Sequence, residues 1–300
     1  MTVLLKDRFM KTGLDKLTIQ GFKSIRDLTD FPMERLNLLV GCNGAGKSNF
    51  MDFFCMLSAM SIEGLSTFIE QKGGADGFFF NGPKETPQIV AHMSFGDNKY
   101  GFVLLPSSNN VGVMVKEEAL MYIPSDKWEV VGGGKTESAL KSWGNLQAKH
   151  DAFLSAKNHV YEAVSNWTVY HFHDTSSFSP MRRYWSVRDN KRLNPDASNI
   201  AAFLLYIRAK NPASYQHIIE TIKLVAPFFD DFILEPETKG QNEVVRLEWR
   251  QKGSRFPFQP WQFSDGTMRF ICLATALLQP EERIPSAILI DEPELGLHPF

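Results

Sequence analysis

Residues 40–50 read VGCNGAGKSNF. Gly41, Gly46, Lys47 and Ser48 complete the pattern G-x-x-x-x-G-K-S. Glycines at 41, 44 and 46 let a loop wrap around a phosphate so that backbone N–H groups point inward, and the positive end of a following helix adds to the attraction. Lys47 is placed to reach the β- and γ-phosphates of a nucleoside triphosphate, and Ser48 to ligate Mg²⁺. The motif needs a strand before it and a helix after it. ERLNLLV reads as the strand, and NFMDFFCMLSAM as a helix that is apolar almost all round and hence buried. Cys42 inside the loop reads as a small filler residue; if it is exposed, bound nucleotide should shield it from alkylation.

The second decisive stretch is SAILIDEPELGLHPF at residues 286–300. A short buried strand delivers Asp291 and Glu292 at its carboxyl end, where ligands of open α/β sheets bind. Asp291 suits the Mg²⁺ shell, and Glu292 suits a general base that polarises water. Between the two stretches, FSDGT at residues 263–267 opens a buried helix, with Ser264 at the N-cap and Asp265, Gly266 and Thr267 in the first turn.

With Asn43 and Asn49 included, GCNGAGKSN resembles the RecF, SMC and OLD branch of ABC-type ATPases. That resemblance gives FSDGT a meaning. In the family a Ser-x-Gly signature opens a helix one strand before the acidic pair, and binds the γ-phosphate of nucleotide held by another subunit. ELGLHP then resembles the D-loop, with His298 serving the interface. It implies an α/β P-loop head with an antiparallel β lobe and a compact helical insertion. ATP and Mg²⁺ are held by Gly41, Asn43, Gly44, Gly46, Lys47, Ser48 and Asn49, with Asp291 on the metal. A homodimer or higher homo-oligomer closes when Ser264 and Gly266 meet ATP on the partner, and Glu292 and Lys47 serve catalysis. Asp265 departs from the Ser-Gly-Gly of transporters. Near a phosphate it repels unless turned away or matched by a cation. SDG with DEPE-x-GLHP is similar to predicted ATPases of bacterial defence, of the Septu and retron-associated kind, which act with an HNH-type nuclease. The implied function is an ATPase acting as a nucleic-acid-linked sensor or regulator in anti-phage defence or DNA repair; an ATP-binding assembly scaffold with little turnover is the alternative.

The resemblance is carried by residues 14–105 and 229–300, so the head halves are placed at 1–105 and 229–300 with an insertion at 106–228. After the acids the family has a further helix, a strand and a switch histidine. The chain stops at Phe300, which suggests a truncated product or an incompletely represented one.

The middle reads as successive antiparallel strands (QIVAHMSF, KYGFVLLP, VGVMVKEEALMYI), a flexible VGGGK, a helical stretch from Thr136, a strand WTVYHFHD, and two helices broken at Asn211-Pro212. Gln88 before the first of these strands is a candidate Q-loop residue. RRYWSVRDNKR places Arg182, Arg183, Arg188, Lys191 and Arg192 among Tyr184 and Trp185. That composition suits nucleic acid, a partner protein or a solvated loop alike. His171, His173 and Asp174 suggest metal ligands, and alternation puts the two histidines on one face. Structural or hydrogen-bonding roles are the expectation, because no third matched ligand stands nearby in sequence.

Composition sets the outer bounds. The 300 residues are 43% hydrophobic and 22% charged, enough to bury a real core. A formal charge of -2 argues against a generally basic nucleic-acid binder. Three scattered cysteines and no CxxC argue against a disulfide framework or zinc site and fit a reducing cytosol. No leader pattern or long apolar run is present, so the expectation is a soluble cytoplasmic protein without membrane contact.

Overall fold

In IVAHMSF every second side chain is fully buried: Ile89, Ala91, Met93 and Phe95. A period of two marks a strand with one face on a core. The computed structural model, which describes residues 2–6, 13–108, 111–122, 127–144 and 151–295, sets this strand inside a six-stranded antiparallel sheet. The chain divides into two units, one of residues 2–169 and 285–289, the other of residues 170–284 and 290 onward.

The first unit carries β1 (Thr2–Lys6), β2 (Lys16–Phe22), β3 (Ile25–Pro32), β4 (Leu36–Leu39), α1 (Lys47–Met60), α2 (Leu65–Gln71), β5 (Ile89–Phe95), β6 (Asn98–Pro106), β7 (Val113–Tyr122), β8 (Lys127–Gly132), α3 (Leu140–Trp143), α4 (Ala152–Ser165) and β9 (Trp167–Tyr170). The large sheet runs β3-β2-β5-β6-β7-β8. A smaller sheet has the order β4-β1-β16-β9, where β16 is the last described strand, Ala287–Asp291.

Two of these strands differ from the sequence expectation. Residues 26–32, given no strand in the sequence analysis, form most of β3, and Val131 and Gly132, at the start of the stretch read as a flexible break, end β8. Both are edge strands with mostly exposed side chains, so neither shows apolar alternation. Backbone pairing with β2 and β7 holds them instead.

α1 buries Phe50, Met51, Phe53, Phe54, Met56, Leu57 and Met60, as its all-round apolar sequence requires. Phe53 stacks on Phe102 of β6 at 6.3 Å and meets Phe22 of β2 edge-on at 5.6 Å. Each such side chain contributes about 1.5–3 kcal/mol. The loop in front of α1 is therefore anchored to the core. Glu118 of β7 is also fully buried, and accepts hydrogen bonds from Tyr100 Oη at 2.6 Å, Ser138 Oγ at 2.5 Å and the Ala139 amide at 2.7 Å. Burial pushes the Tyr100 phenol well above its usual range, and the Glu118 carboxylate pushes it the same way.

The second unit carries β10 (Trp185–Ser186), α5 (Ile200–Lys210), α6 (Pro212–Val225), β11 (Phe229–Ile233), β12 (Glu237–Lys239), β13 (Asn242–Val245), β14 (Glu248–Gln251), β15 (Pro257–Phe258) and α7 (Asp265–Leu277). Asn211, ahead of proline, leaves the helical region at φ -138°, ψ 65°, and this separates α5 from α6. Trp249 of β14 stacks on Phe263 at 4.4 Å and on Phe258 at 4.7 Å, which fixes the approach to α7. Among the described residues no helix is long and apolar enough to cross a membrane.

Candidate nucleotide site

β4 ends at Leu39, and α1 begins at Lys47. The turn between them uses left-handed backbone at Gly44 (φ 82°) and Gly46 (φ 93°), which favours glycine. A Cβ on Gly46 would sit 2.6 Å from Ser24 Oγ, so that position has no room either. Ser24, in the β2–β3 turn, accepts a hydrogen bond from Asn49 Nδ2 at 2.8 Å. Asn49 thus ties the first turn of α1 to the neighbouring hairpin. Lys47 Nζ donates to the carbonyls of Gly41 (2.8 Å) and Cys42 (3.1 Å), so the ammonium sits inside the curl of its own loop. No side chain caps α1. Its first-turn amides are the groups that a phosphate oxygen can accept from. The loop fits a triphosphate on these grounds. Cys42 is exposed.

β16 buries Ile288, Leu289 and Ile290 and ends at Asp291, whose side chain is 10% exposed. Glu292 follows in the left-handed region at φ 47°, a conformation costing a non-glycine residue about 1–3 kcal/mol. Its side chain is 42% exposed. Strain placed on an acidic residue at a strand's carboxyl end is consistent with a site held in a fixed geometry.

Ser264 caps α7, as its sequence position suggested. Its Oγ accepts from the Thr267 amide at 3.1 Å and lies 2.8 Å from Thr267 Oγ1. Asp265 is matched by a cation that the sequence did not reveal. Arg182 Nη2 lies 3.1 Å from Asp265 Oδ1, and the same guanidinium donates to the carbonyls of Thr175, Pro260 and Phe263. Arg182 is 4% exposed. This corrects its assignment to a nucleic-acid-facing run: it is a buried clamp on the loop that leads into α7. The aromatic residues of that run are engaged within the chain as well. Tyr184 carries Lys239 Nζ 3.1 Å above its ring and Arg246 at 4.3 Å, and Trp185 Nε1 donates to Asp189 at 2.6 Å. Arg183, Arg188, Lys191 and Arg192 lie at the surface.

The histidines are regrouped. Asp174 accepts from the Ser176 amide at 3.0 Å in a local turn, and the side-chain and backbone hydrogen bonds from Ser176 hold its carboxyl below the usual range. His173 faces the acidic pair instead: Nε2 is 3.8 Å from Asp291 Oδ2, and Nδ1 is 3.7 Å from Glu292 Oε2. Arg269 of α7 was also missed. It donates to the carbonyls of Phe172 (3.0 Å), His173 (2.9 Å) and Leu295 (3.0 Å), and so ties α7 to the segment after β9 and to the turn after Glu292. Only the alternation at 171–173 gave a sequence signal for any of this. Gln88 is exposed in the segment before β5. His298 lies outside the described residues.

A family model described as "AAA domain, putative AbiEii toxin, Type IV TA system" matches residues 134–300, and one described as "AAA domain" matches residues 16–175. No curated protein matches the chain. Among solved structures, the chain is similar to the "Crystal structure of the SmcHead bound to the C-winged helix domain of ScpA", with 15% identity, 88% of this chain and 75% of that chain covered, and a TM-score of 0.42. Each family model spans more than half of the sequence, and so the chain belongs to the AAA-domain family and is a P-loop ATPase.

Proposed function

We propose that the chain binds Mg·ATP at residues 41–48 and hydrolyses it as a dimer, two heads closing with nucleotide between the loop of one and Ser264 and Gly266 of the other. The observation that carries the reading is the uncapped start of α1 behind a glycine turn that encloses Lys47. Backbone amides of the loop and the first turn of α1 orient the phosphates, and Lys47 exchanges its two carbonyl partners for phosphate oxygens. Mg²⁺, when bound, neutralises charge on the phosphates. Ser48 and Asp291 are the residues that would hold it, and Glu292 takes a proton from the attacking water. Arg182 serves as a positioning residue: it holds the signature loop and balances Asp265, which otherwise repels a γ-phosphate. Residues 106–228 form the insertion between the two head halves.

The output we assign to this engine is regulation in defence or repair, through a partner nuclease of the HNH type and with nucleic acid at Arg183, Arg188, Lys191 and Arg192. The description of the matched family, with its "putative AbiEii toxin", supports the defence setting. Steady-state ATP turnover with and without DNA tests it. Turnover stimulated by DNA is expected. ATP binding with no turnover under either condition supports a nucleotide-bound scaffold instead.

A further inference from the structure

Two imidazoles that the proposed ATP chemistry does not use meet the Asp291 carboxylate beside the end of β16. Past Tyr170 the chain keeps the alternation of a strand. Phe172 is buried and stacks on Tyr170 at 5.3 Å, while His171 and His173 are half-buried with rings 6.0 Å apart. One ligand atom from each of His171, His173 and Asp291 lies within 4.8 Å of the other two. The 3.7–3.8 Å gaps from His173 to Asp291 and Glu292 are too long for hydrogen bonds. Small side-chain rotations bring such atoms to the roughly 3.3 Å spacing of ligands around one ion with bonds of about 2.0–2.1 Å.

The backbone that carries these ligands is held in place. The His171 amide donates to the Pro195 carbonyl at 2.9 Å. The Arg269 guanidinium grips the carbonyls of Phe172 and His173 on one arm and of Leu295 on the other. Ligand positions fixed by supporting hydrogen bonds are what a metal site requires.

We propose that His171, His173 and Asp291 form a binding site for a divalent transition-metal ion of the zinc class, with Glu292 within reach as a further oxygen ligand. Imidazole nitrogens suit Zn²⁺ and its neighbours, whereas Mg²⁺ takes oxygen ligands. The site therefore differs in chemistry from that of the nucleotide's metal, although Asp291 belongs to both. Occupancy withdraws Asp291 from Mg²⁺, so the ion acts as a brake on hydrolysis; that consequence rests on the ATPase reading, and the binding itself does not.

The test is calorimetric titration of Zn²⁺ alone, without nucleotide, into the full chain after chelator treatment and desalting. The expected result is one saturable site per chain, weakened at least tenfold by His171→Ala and by His173→Ala and unchanged by Asp174→Ala. A ¹⁵N-edited histidine spectrum of the unsubstituted chain reads imidazole coordination without any variant, and the resonances of His171 and His173 should move on adding Zn²⁺. Absence of saturable binding, equal affinity in both histidine variants with unchanged melting, or shifts confined to other histidines overturns the proposal. Mg·ATP affinity is measured separately on the same protein. Its absence in the unsubstituted chain overturns the ATPase reading and leaves the zinc result standing.

Discussion

Asp265 sits in the first turn of α7, where a negative charge favours the helix but disfavours an incoming phosphate. Arg182 resolves the conflict from 83 residues away in sequence. Its loss takes a donor from the buried carbonyls of Thr175, Pro260 and Phe263; Pro260 keeps the Phe263 amide at 3.3 Å, and each carbonyl left unpaired costs about 1–3 kcal/mol. Arg182→Ala is therefore expected to destabilise the protein by about 2–4 kcal/mol in urea denaturation. Asp265→Asn, whose side chain is 65% exposed, should cost less than about 1 kcal/mol. Equal costs for the two would mean that the ion pair, and not the carbonyl clamp, gives Arg182 its role. Glu292→Gln should keep ATP affinity and slow turnover by about 10²–10⁴-fold in a phosphate-release assay. An unchanged rate removes Glu292 from the chemistry. At this scale the glycine loop, the acidic pair and the Ser264 cap were legible, because each is a local pattern of a few residues. Arg182, Ser24, Arg269 and the turn of His173 toward Asp291 were not, because each depends on a contact across a long loop of chain.

Among the elements, α1 joins the phosphate loop to the core, and its half-buried acidic residue, Asp52, is paired from outside the helix. Burial pushes the Asp52 carboxyl up, but hydrogen bonds and charge from Lys23 (2.5 Å) and Lys72 (3.0 Å) more than offset this, so its pKa lies below the usual carboxylate range. A depressed folded-state pKa gives stability that is present above the unfolded value, about 3.9, and lost as pH falls through the folded one. Asp52→Asn should lower stability at pH 7 by about 1–2 kcal/mol and flatten the acid limb of a stability–pH profile below about pH 4. A parallel downward shift of the whole profile would contradict the linkage. In β7, Glu118→Ala strands the Tyr100 and Ser138 hydroxyls and the Ala139 amide, and a loss of about 3 kcal/mol or more is expected on thermal or urea unfolding. The sequence made α1, α5, α6, α7 and the inner strands β5–β7 readable through their apolar periods. The edge strands β3 and β8 escaped, since pairing of backbone groups leaves no mark on side-chain type.

For the molecule as a whole, a nucleotide loop near one end of the chain and a signature helix near the other suit a machine that is completed by a second copy. If so, the Glu292→Gln protein should sediment as a dimer in saturating Mg·ATP and as a monomer without it. A monomer in both would remove the sandwich and leave a single-headed ATPase. The formal charge of -2 gives no general attraction to nucleic acid, so DNA stimulation, if observed, should depend on Arg183, Arg188, Lys191 and Arg192 and fall steeply with salt.

Everything rests on residues 41–48 holding a triphosphate, and the exposed thiol of Cys42 inside that loop offers the most direct test. Its alkylation rate, followed by mass spectrometry with half-buried Cys55 as the internal reference, should drop at least tenfold in Mg·ATP. The protection should vanish in Lys47→Ala. Alkylation of Cys42 at the same rate with and without saturating Mg·ATP in the unsubstituted protein would contradict the account.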